Sequence, residues 1–408
     1  METRTIELAS VIKDIAAGPF GSNLKVSCFV EKGFPIIDGA NLKGIKVTDN
    51  VTKFVTEEKA RSLHRSIASR GDVVVTISGN VGQIAYIPNN SQYAEYLVSQ
   101  RQFRVTFDTE QVYVPYLVYY FHTYEGQHKI LAFANQTGVP ALAQPLKNFK
   151  KITVNLPTLN EQKRIASICE AITGKIETND QINDNLQQQA QSLYQSWFVD
   201  YVPFEGIMPE AWYMGTLSDL ADTIICGKTP STKRSEYYGD EVPFITIPDM
   251  HNQIYAVSTE RSLSTLGVSS QLGKTLPRNS TCVSCIGTAG LVCLVAEPSQ
   301  TNQQINSIIP HPTASPYYIY LLAKTLSDTI QNLGSGGSTI CNLNKGQFSA
   351  IEALIPSEKS MQEFDEIVSP LFEAIYINQV ENLRLAELRD TLLPRLMSGE
   401  VDASSIRI

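Results

Sequence analysis

Two loops rich in glycine, serine and lysine carry the side chains best suited to chemistry in this chain. The first reads GPFGSNLK at 18–25, and the second reads GKTPSTKRSEYYGD at 227–240. Short polar and basic side chains on such loops suit hydrogen bonds to phosphate groups or to the edges of bases. A plain surface turn accounts for any single one of these residues equally well. Both interpretations stay open at the level of single residues.

Signatures of enzymes are missing from the sequence. The two GKT triplets do not form a nucleotide-binding loop, because Asp222 and Val268 stand where that loop needs its first glycine. The CVSC segment at 282–285 lies in a predicted strand without a second cysteine pair, which favours buried thiols over zinc. Neither a Gly-x-Ser-x-Gly nor a His-Glu-x-x-His motif occurs, and the five histidines form no cluster. We therefore predict no catalytic site and no metal site.

Length and composition predict a globular protein of two to three domains, because 408 residues with 43% hydrophobic side chains can bury sizeable cores. The opening METRTIELAS resembles no signal peptide, and no run of about 18 apolar residues occurs. Seven scattered cysteines predict no disulfide framework. We expect a soluble, cytoplasmic protein that has no contact with a membrane.

The net charge of −8 is unevenly distributed along the chain. Residues 1–157 carry 17 Lys+Arg against 13 Asp+Glu, whereas 158–205, 206–356 and 357–408 are each net acidic. A basic first domain permits a local phosphate-binding face. A chain this acidic would still bind DNA weakly unless a partner supplied positive charge.

The elements that must position the two loops occur twice. GVPALAQPLKNFKKITVNLP at 138–157 aligns without a gap to GSTICNLNKGQFSAIEALIP at 337–356, at an offset of 199. More faintly, GDVVVTISGNVGQIAYI at 71–87 resembles NSTCVSCIGTAGLVCLV at 279–295, at an offset of 208. The alternating β-branched residues predict a strand, and the paired glycines predict a tight turn into the next strand. The sequence therefore predicts a duplicated framework.

A third aligned pair predicts that loops differ between the copies. SQRQF at 99–103 resembles NQQIN at 302–306, at an offset of 203. A changing offset means that loop lengths vary while the framework persists. Variable loops on a repeated framework are typical of recognition proteins.

Each duplicated segment is followed by a predicted long amphipathic helix with a seven-residue repeat. The repeat predicts a coiled-coil seam that comprises Ile165, Ile172, Asn179, Leu186 and Leu193, and Phe364, Leu371, Asn378, Leu385 and Leu392. Apolar residues at the intermediate d-type positions support this seam: Ile168, Ile182, Ile367 and Leu388.

The matching asparagines, Asn179 and Asn378, favour a coiled coil between the two helices, because a polar seam residue fixes register at a cost in stability. The alternative is a pair of ordinary amphipathic helices, each packed on its own domain. The short connection near 202–206 predicts antiparallel helices related by a pseudo-two-fold axis near these asparagines. Replacing both by leucine should then keep or raise thermal stability.

The order of domain, helix, domain and helix resembles the DNA-specificity subunit of type I restriction-modification systems. LPTLNEQKRIASICEAITGKIETND resembles a conserved helical region of that family. GPFGSNLK, GDVVVTISGNVGQIA and GKTPSTKRSEYYGDEVPFITIPDM are similar to its target recognition domains. The resemblance covers nearly the whole chain. One departure is IPSEKSMQEF, which lacks the Glu-Gln pair after its proline.

The resemblance implies an α+β fold in which two pseudo-symmetric α/β target recognition domains are joined by a long antiparallel two-helix coiled coil. We predict target recognition domains at 1–157 and 206–356, a central conserved helix at 158–205 and a distal conserved helix at 357–408. In that family each recognition domain reads one half of a split, asymmetric site on double-stranded DNA.

The resemblance also implies partners and cofactors. The chain would be non-catalytic and carry no cofactor itself. It would position two modification subunits that bind S-adenosylmethionine and methylate adenine, together with restriction subunits that use ATP and Mg²⁺. We predict DNA contacts by Ser22, Asn23, Lys25, Lys43, Asn80, Arg101, Lys228, Thr229, Lys233 and Arg234.

Two other classes of function remain open at this stage. A tandem-domain scaffold could bind proteins or small ligands and use its coiled coil as a spacer. An enzyme acting alone is the third alternative. Retention of DNA that carries a specific half-site, with a modification subunit present, would distinguish a DNA-specificity subunit from such a scaffold.

Overall fold

The computed structural model describes residues 3–135, 139–335 and 341–406. The chain divides into two compact units. Unit 1 comprises Met1–Gly174 and Ala386–Ile408, and unit 2 comprises Lys175–Leu385. Each unit thus contains one repeat together with pieces of both long helices. The aligned glycines that open the duplicated segments, Gly138 and Gly337, lie outside the described residues.

Unit 1 contains the strands of the first repeat. Its strands are β1 (Thr3–Glu7), β2 (Ile12–Ala17), β3 (Phe29–Val30), β4 (Phe34–Ile37), β5 (Phe54–Val55), β6 (Ile67–Ser69), β7 (Val73–Thr76), β8 (Ile84–Tyr86), β9 (Glu95–Val98), β10 (Gln102–Phe107) and β11 (Thr153–Pro157). Its α-helices are α1 (Glu57–Ser62), α2 (Val114–His122), α3 (Tyr124–Leu131), α4 (Pro145–Lys150) and the first part of α5 (Leu159–Phe198).

Unit 2 repeats this order of elements. Its strands are β12 (Tyr213–Thr216), β13 (Ala221–Cys226), β14 (Tyr238–Gly239), β15 (Val242–Ile245), β16 (Tyr255–Ala256), β17 (Ser262–Leu263), β18 (Thr281–Ser284), β19 (Ile286–Gly287), β20 (Val292–Val295), β21 (Gln300–Thr301), β22 (Ile305–Pro310), β23 (Cys341–Asn342) and β24 (Glu352–Ile355). Its α-helices are α6 (Thr265–Ser269), α7 (Pro316–Thr325), α8 (Ser327–Ser335), α9 (Lys345–Ser349) and the first part of α10 (Glu358–Ser398).

Short 3₁₀ helices connect these elements in both units. They are Leu8–Ser10, Val26–Cys28, Gly39–Asn41, His64–Ser66, Val202–Phe204, Leu217–Leu220, Ser235–Tyr237, Ile247–Met250 and Ala403–Ser405.

The sheets of the two units share the same arrangement, although the number of strands in the corresponding larger sheets differs by one. Unit 1 has the orders β2-β10-β7-β8 and β3-β5-β4-β9-β6, and β1 pairs with β11. Unit 2 has β13-β22-β18-β20-β16 and β14-β17-β15-β21, and β12 pairs with β24. The parallel pair β4 and β9 of the first repeat corresponds to the parallel pair β15 and β21 of the second. The predicted duplication and the predicted α+β class are therefore confirmed.

Local backbone chemistry explains why both repeats form the same turns. Gly79 and Gly82 have φ of 89° and 91°, and Gly287 and Gly290 have φ of 79° and 88°. Side chains with a Cβ rarely adopt this left-handed region, so glycine is required at each position. The predicted tight turn after each buried strand is confirmed.

The long helices pair antiparallel within unit 2. Asn179 Nδ2 donates a hydrogen bond to Asn382 Oδ1 at 2.8 Å, and Asn378 Nδ2 donates to Asn183 Oδ1 at 2.9 Å. Residue numbers rise along α5 while those of its partners fall along α10. The two bonds also exchange under the 199-residue offset, so they are pseudo-symmetric mates. We call these four residues the asparagine cluster.

The predicted seam residues occupy a range of environments. Ile165, Asn179 and Phe364 are fully buried, and Leu186, Leu193 and Leu371 pack half-buried on the core of unit 2. Ile172 and Leu392 pack half-buried on the core of unit 1. Asn378 and Leu385 are half-buried.

The d-type positions differ from the heptad prediction. Ile168 is buried, but Ile182 and Ile367 are each 44% exposed and Leu388 is 51% exposed, so their assignment to the seam is wrong. A straight α-helix drifts by about 20° per heptad relative to a strict seven-residue repeat. The burial of α10 within unit 2 instead follows its contacts with other elements of that unit. Phe372, for example, stacks on Tyr317 with ring centroids 4.4 Å apart.

Because Asn179 and Asn378 each bond to a second asparagine, replacing these two residues is expected to affect stability differently from what the heptad pattern predicts. We expect the double variant Asn179→Leu, Asn378→Leu to be destabilised, because it leaves the buried side-chain oxygen of Asn183 and the half-buried side-chain oxygen of Asn382 without their donors. A buried polar group left unpaired costs about 1–3 kcal/mol. Replacing all four asparagines by leucine should recover part of that stability, because no asparagine amide is then left unpaired and only the exposed bond from Asn382 to Asp180 is lost in addition.

Urea unfolding of the full chain measures both effects, and Gln188→Leu, an exposed polar site on the same helix, is the control. A double variant as stable as the fourfold variant would show that the asparagines do not depend on one another.

Candidate nucleic-acid interface

Unit 1 contains a groove that is lined by both apolar and polar side chains. It has a volume of about 520 Å³. Its apolar lining includes Leu24, Val26, Phe29 and Ile36. Its polar lining comprises Asp38, Lys53, Thr76, Ser78, Asn80, Gln83, Ser99, Gln100, Arg101 and Gln102. We call it the unit 1 groove.

Backbone hydrogen bonds hold the turn at residues 99–102 against three neighbouring segments. Ser99 N–H donates to the carbonyl of Ile37 at 2.9 Å, and Ile77 N–H donates to the carbonyl of Arg101 at 2.7 Å. Gly18 N–H donates to the carbonyl of Gln102 at 2.8 Å, which attaches the GPFGSNLK loop to the same turn. Four segments distant in sequence therefore converge on one wall of the groove.

A buried amide supports that turn from behind. Gln102 is 1% exposed, and its Oε1 accepts a hydrogen bond from Ser99 Oγ. Its Nε2 donates to Thr76 Oγ1 at 3.4 Å, and Thr76 Oγ1 donates to Gln83 Oε1 at 3.2 Å. Gln102 is therefore a positioning residue, whereas Gln83 reaches the groove half-buried.

The cations of unit 1 differ in whether they are neutralised. Lys53 forms an ion pair with Asp38 at 2.6 Å. Burial acts to raise the pKa of Asp38, but its hydrogen bonds with Lys53 and with the N–H of Ala40 outweigh burial and lower it. Arg101 is exposed, and among the described residues its guanidinium has no ion-pair partner. Its charge is thus available to a ligand in the groove.

Unit 2 builds the corresponding turn from residues 302–305. Asn302 N–H donates to the carbonyl of Ile245 at 3.2 Å, and Cys285 N–H donates to the carbonyl of Gln304 at 2.8 Å. Gly227 N–H donates to the carbonyl of Ile305 at 3.0 Å, as Gly18 does to Gln102 in unit 1. The backbone framework of the two turns is the same, but the side chains on it differ.

The second loop packs against the unit 2 turn through side chains. Thr229 Oγ1 donates to Gln303 Oε1 at 2.5 Å. Arg234 Nη1 donates to the hydroxyl of Tyr237 at 2.7 Å, and its guanidinium lies 5.3 Å from the centre of that ring. Arg234 is thus held in place while it remains exposed.

The structure brings together only some of the predicted DNA contacts. Asn80 and Arg101 line the unit 1 groove. Asn23 lines a different hollow with Phe20 and His64. The remaining predicted contacts do not line the unit 1 groove; Thr229 is half-buried and the others are exposed: Ser22, Lys25, Lys43, Lys228, Thr229, Lys233 and Arg234.

Sequence reasoning misses several polar residues at these turns. Gln100 lines the unit 1 groove, and Gln303 and Gln304 lie on the unit 2 turn. The aligned pair SQRQF and NQQIN contained the signal, since all three glutamines lie in it. Gln83 and Lys53 reach the groove from separate segments, and no local pattern marks them.

Neither a metal-binding cluster nor a helix able to span a membrane occurs among the described residues. No three histidine, cysteine, aspartate or glutamate side chains within 3–135, 139–335 and 341–406 are placed to hold a metal ion. Cys282 and Cys285 are buried free thiols, as the sequence predicted. Over the same ranges, none of the helices combines the length and the apolar character that a membrane crossing requires.

Comparisons with known proteins place the chain among DNA-specificity proteins. The family described as type I restriction modification DNA specificity domain matches residues 20–188 and again 209–387. The specificity subunit of the type I restriction enzyme HindI from Haemophilus influenzae is 38% identical over 318 residues, covering 61% of this chain and 69% of that protein. The MjaIX specificity subunit of Methanocaldococcus jannaschii is 23% identical over 410 residues, covering 96% and 92%.

A solved structure shares the fold. The type I restriction-modification S subunit from M. genitalium superposes with a TM-score of 0.60 at 14% identity, covering 97% of this chain and 96% of that one. The two family matches cover most of the chain, and each coincides with one repeat of the duplicated framework. The chain therefore belongs to the family of type I restriction-modification DNA specificity subunits, and its function is the recognition of DNA sequence.

Proposed function

We propose that each unit reads one half of a split, asymmetric site on double-stranded DNA. The observation that carries this proposal is that equivalent framework positions bear different side chains. Arg101 of unit 1 corresponds to Gln304 of unit 2, because each offers its carbonyl to the equivalent backbone N–H. A shared framework suits a common way of docking on DNA, and different side chains suit different bases.

The DNA contacts that we propose fall into two groups. Asn80 and Arg101 line the unit 1 groove and are placed for contact with bases. Exposed basic residues outside that groove are better suited to phosphates, since phosphate contacts set orientation without reading sequence. This second group comprises Lys25, Lys43, Lys228, Lys233 and Arg234. Ser22, Asn23 and Thr229 complete the proposed set as hydrogen-bonding residues on the two loops.

We also propose that the chain acts without catalysis of its own and positions two modification subunits. In this scheme those subunits bind S-adenosylmethionine and methylate adenine, and restriction subunits add the ATP- and Mg²⁺-dependent step. The net charge of −8 supports a need for partners, because affinity for DNA depends on neutralising phosphates. The names of the relatives, both specificity subunits of type I restriction enzymes, support the same assignment.

The test is to express the full chain with the modification subunit of its host and to sequence the methylated DNA. We expect one methylated motif with two different half-sites separated by a spacer of fixed length. Methylation of a palindromic motif would contradict reading by two different units. Retention of all DNA sequences alike, with no methylated motif, would favour the alternative of a scaffold that binds other proteins or small ligands.

A further inference from the structure

Arg101 and Gln304 occupy the same place in the two repeats. Besides the shared backbone bond, each side chain lies over the equivalent left-handed glycine. A Cβ on Gly79 would lie 3.8 Å from Arg101 Nη1, and a Cβ on Gly287 would lie 3.6 Å from Gln304 Nε2. The two terminal nitrogens therefore reach the same point of one framework.

Arg101 differs from Lys53, the other cation that lines the unit 1 groove, and from two further arginines of unit 1 in being unneutralised. Lys53 is paired with Asp38, and Arg104 with Asp14 at 2.6 Å. Arg61 has two carboxylate partners, both within 2.8 Å. Among the described residues Arg101, which lines the groove, has no such partner, so no carboxylate competes for its guanidinium N–H donors.

Gln304 is oriented by its neighbour. Asn302 Nδ2 donates to Gln304 Oε1 at 3.0 Å, and Asn302 Oδ1 accepts from the backbone N–H of Gln304 at 3.1 Å. An amide oxygen has two lone pairs, so one remains free beside the two Nε2 donors. Gln304 thus presents one acceptor and one donor side by side.

Base edges in the major groove match these two side chains differently. Guanine offers two acceptors, O6 and N7, which suit the two parallel donors of an arginine. Adenine offers the N6 donor and the N7 acceptor, which suit the acceptor and donor of a glutamine amide. We propose that Arg101 reads a guanine in the half-site of unit 1, and that Gln304 reads an adenine in the half-site of unit 2. This assignment rests on the proposed function.

The experiment uses the full chain in complex with its modification subunits and compares methylated motifs by sequencing. Arg101→Gln should lower methylation of sites with guanine at one position of the first half-site by about 10- to 100-fold, the discrimination of one bidentate pair. The second half-site should stay unchanged. Gln304→Arg should move one position of the second half-site from adenine to guanine and leave the first half-site unchanged.

Two further variants keep the result interpretable. Arg4→Gln removes the same charge from an exposed site on β1, outside the groove, and should leave the motif as it is. Arg101→Lys keeps the charge but loses the planar fork, so it should relax the guanine position while DNA binding persists. Binding of unrelated DNA, measured for each complex, shows whether the variant chain still forms a complex that binds DNA.

Loss of methylation at all sites alike in Arg101→Gln, with an unchanged motif, would make Arg101 a phosphate contact and overturn the proposal. A Gln304→Arg complex that keeps its original motif would overturn the adenine assignment. In both cases the complex that carries the unsubstituted chain still methylates a specific motif. If the complex that carries the unsubstituted chain methylated no specific motif, the proposed function itself would be refuted.

Discussion

Gly18→Ala and Gly227→Ala are each expected to abolish recognition of one half-site while the other half-site is still read. A Cβ on Gly18 would lie 1.9 Å from the carbonyl oxygen of Ser99, and a Cβ on Gly227 would lie 2.2 Å from that of Asn302. Both oxygens belong to the turns that carry the proposed base-reading residues. Because backbone cannot yield as a flexible side chain can, the loop and the turn must move apart.

Sequencing of the methylated DNA measures this loss of specificity directly. In complexes with the modification subunit, Gly18→Ala should leave the second half-site in the methylated motif and randomise the first. Gly227→Ala should do the reverse. Overpacking of this kind costs typically about 1–3 kcal/mol, so each variant is expected to remain folded.

Gly44→Ala is the matched control, because a Cβ at that position meets nothing within 4 Å. Parental motifs in both glycine variants would mean that the attachment of loop to turn does not shape the reading surface.

Phe198→Ala is expected to destabilise unit 2 by about 3–5 kcal/mol, the cost of deleting a large buried aromatic side chain. Phe198 is 3% exposed near the end of α5. Its ring centre lies 4.6 Å from that of Tyr318 on α7 and 4.8 Å from that of Phe364 on α10. It therefore ties both long helices to the recognition domain of unit 2. The adjoining Trp212 ring lies 5.4 Å away.

Tryptophan fluorescence during urea unfolding measures this effect within unit 2, because the chain has two tryptophans and both Trp197 and Trp212 lie in this cluster. Val199→Ala is the control, since Val199 is 47% exposed and its loss should cost within about 0.5 kcal/mol. A midpoint for Phe198→Ala close to that of the control would show that the aromatic cluster does not hold the helices to the domain.

The duplicated framework was predictable because its signals are local. Strand alternation, paired turn glycines and helix periodicity each act over a few residues. The structure places Gly79 and Gly287 at equivalent positions with positive φ, as their alignment predicted. Offsets between the repeats varied only where loops changed length.

The pairing of the asparagines was not predictable to the same degree. The alignment selected Asn179 and Asn378, but each bonds to an asparagine four residues further along the opposite repeat, Asn382 and Asn183. A heptad pattern indicates which face of a helix is apolar. It carries no information on the relative shift of two helices.

By itself, the sequence determined that this protein has two copies of one framework, each followed by a long helix, because backbone sterics and periodicity act at short range. Only the tertiary structure decided which polar side chains meet. The unit 1 groove joins Lys53, Asn80 and Arg101 from separate segments, and the sheets that bring them together depend on contacts between residues far apart in the chain. The equivalence of Arg101 and Gln304 likewise became a structural fact only through the hydrogen bonds of their turns.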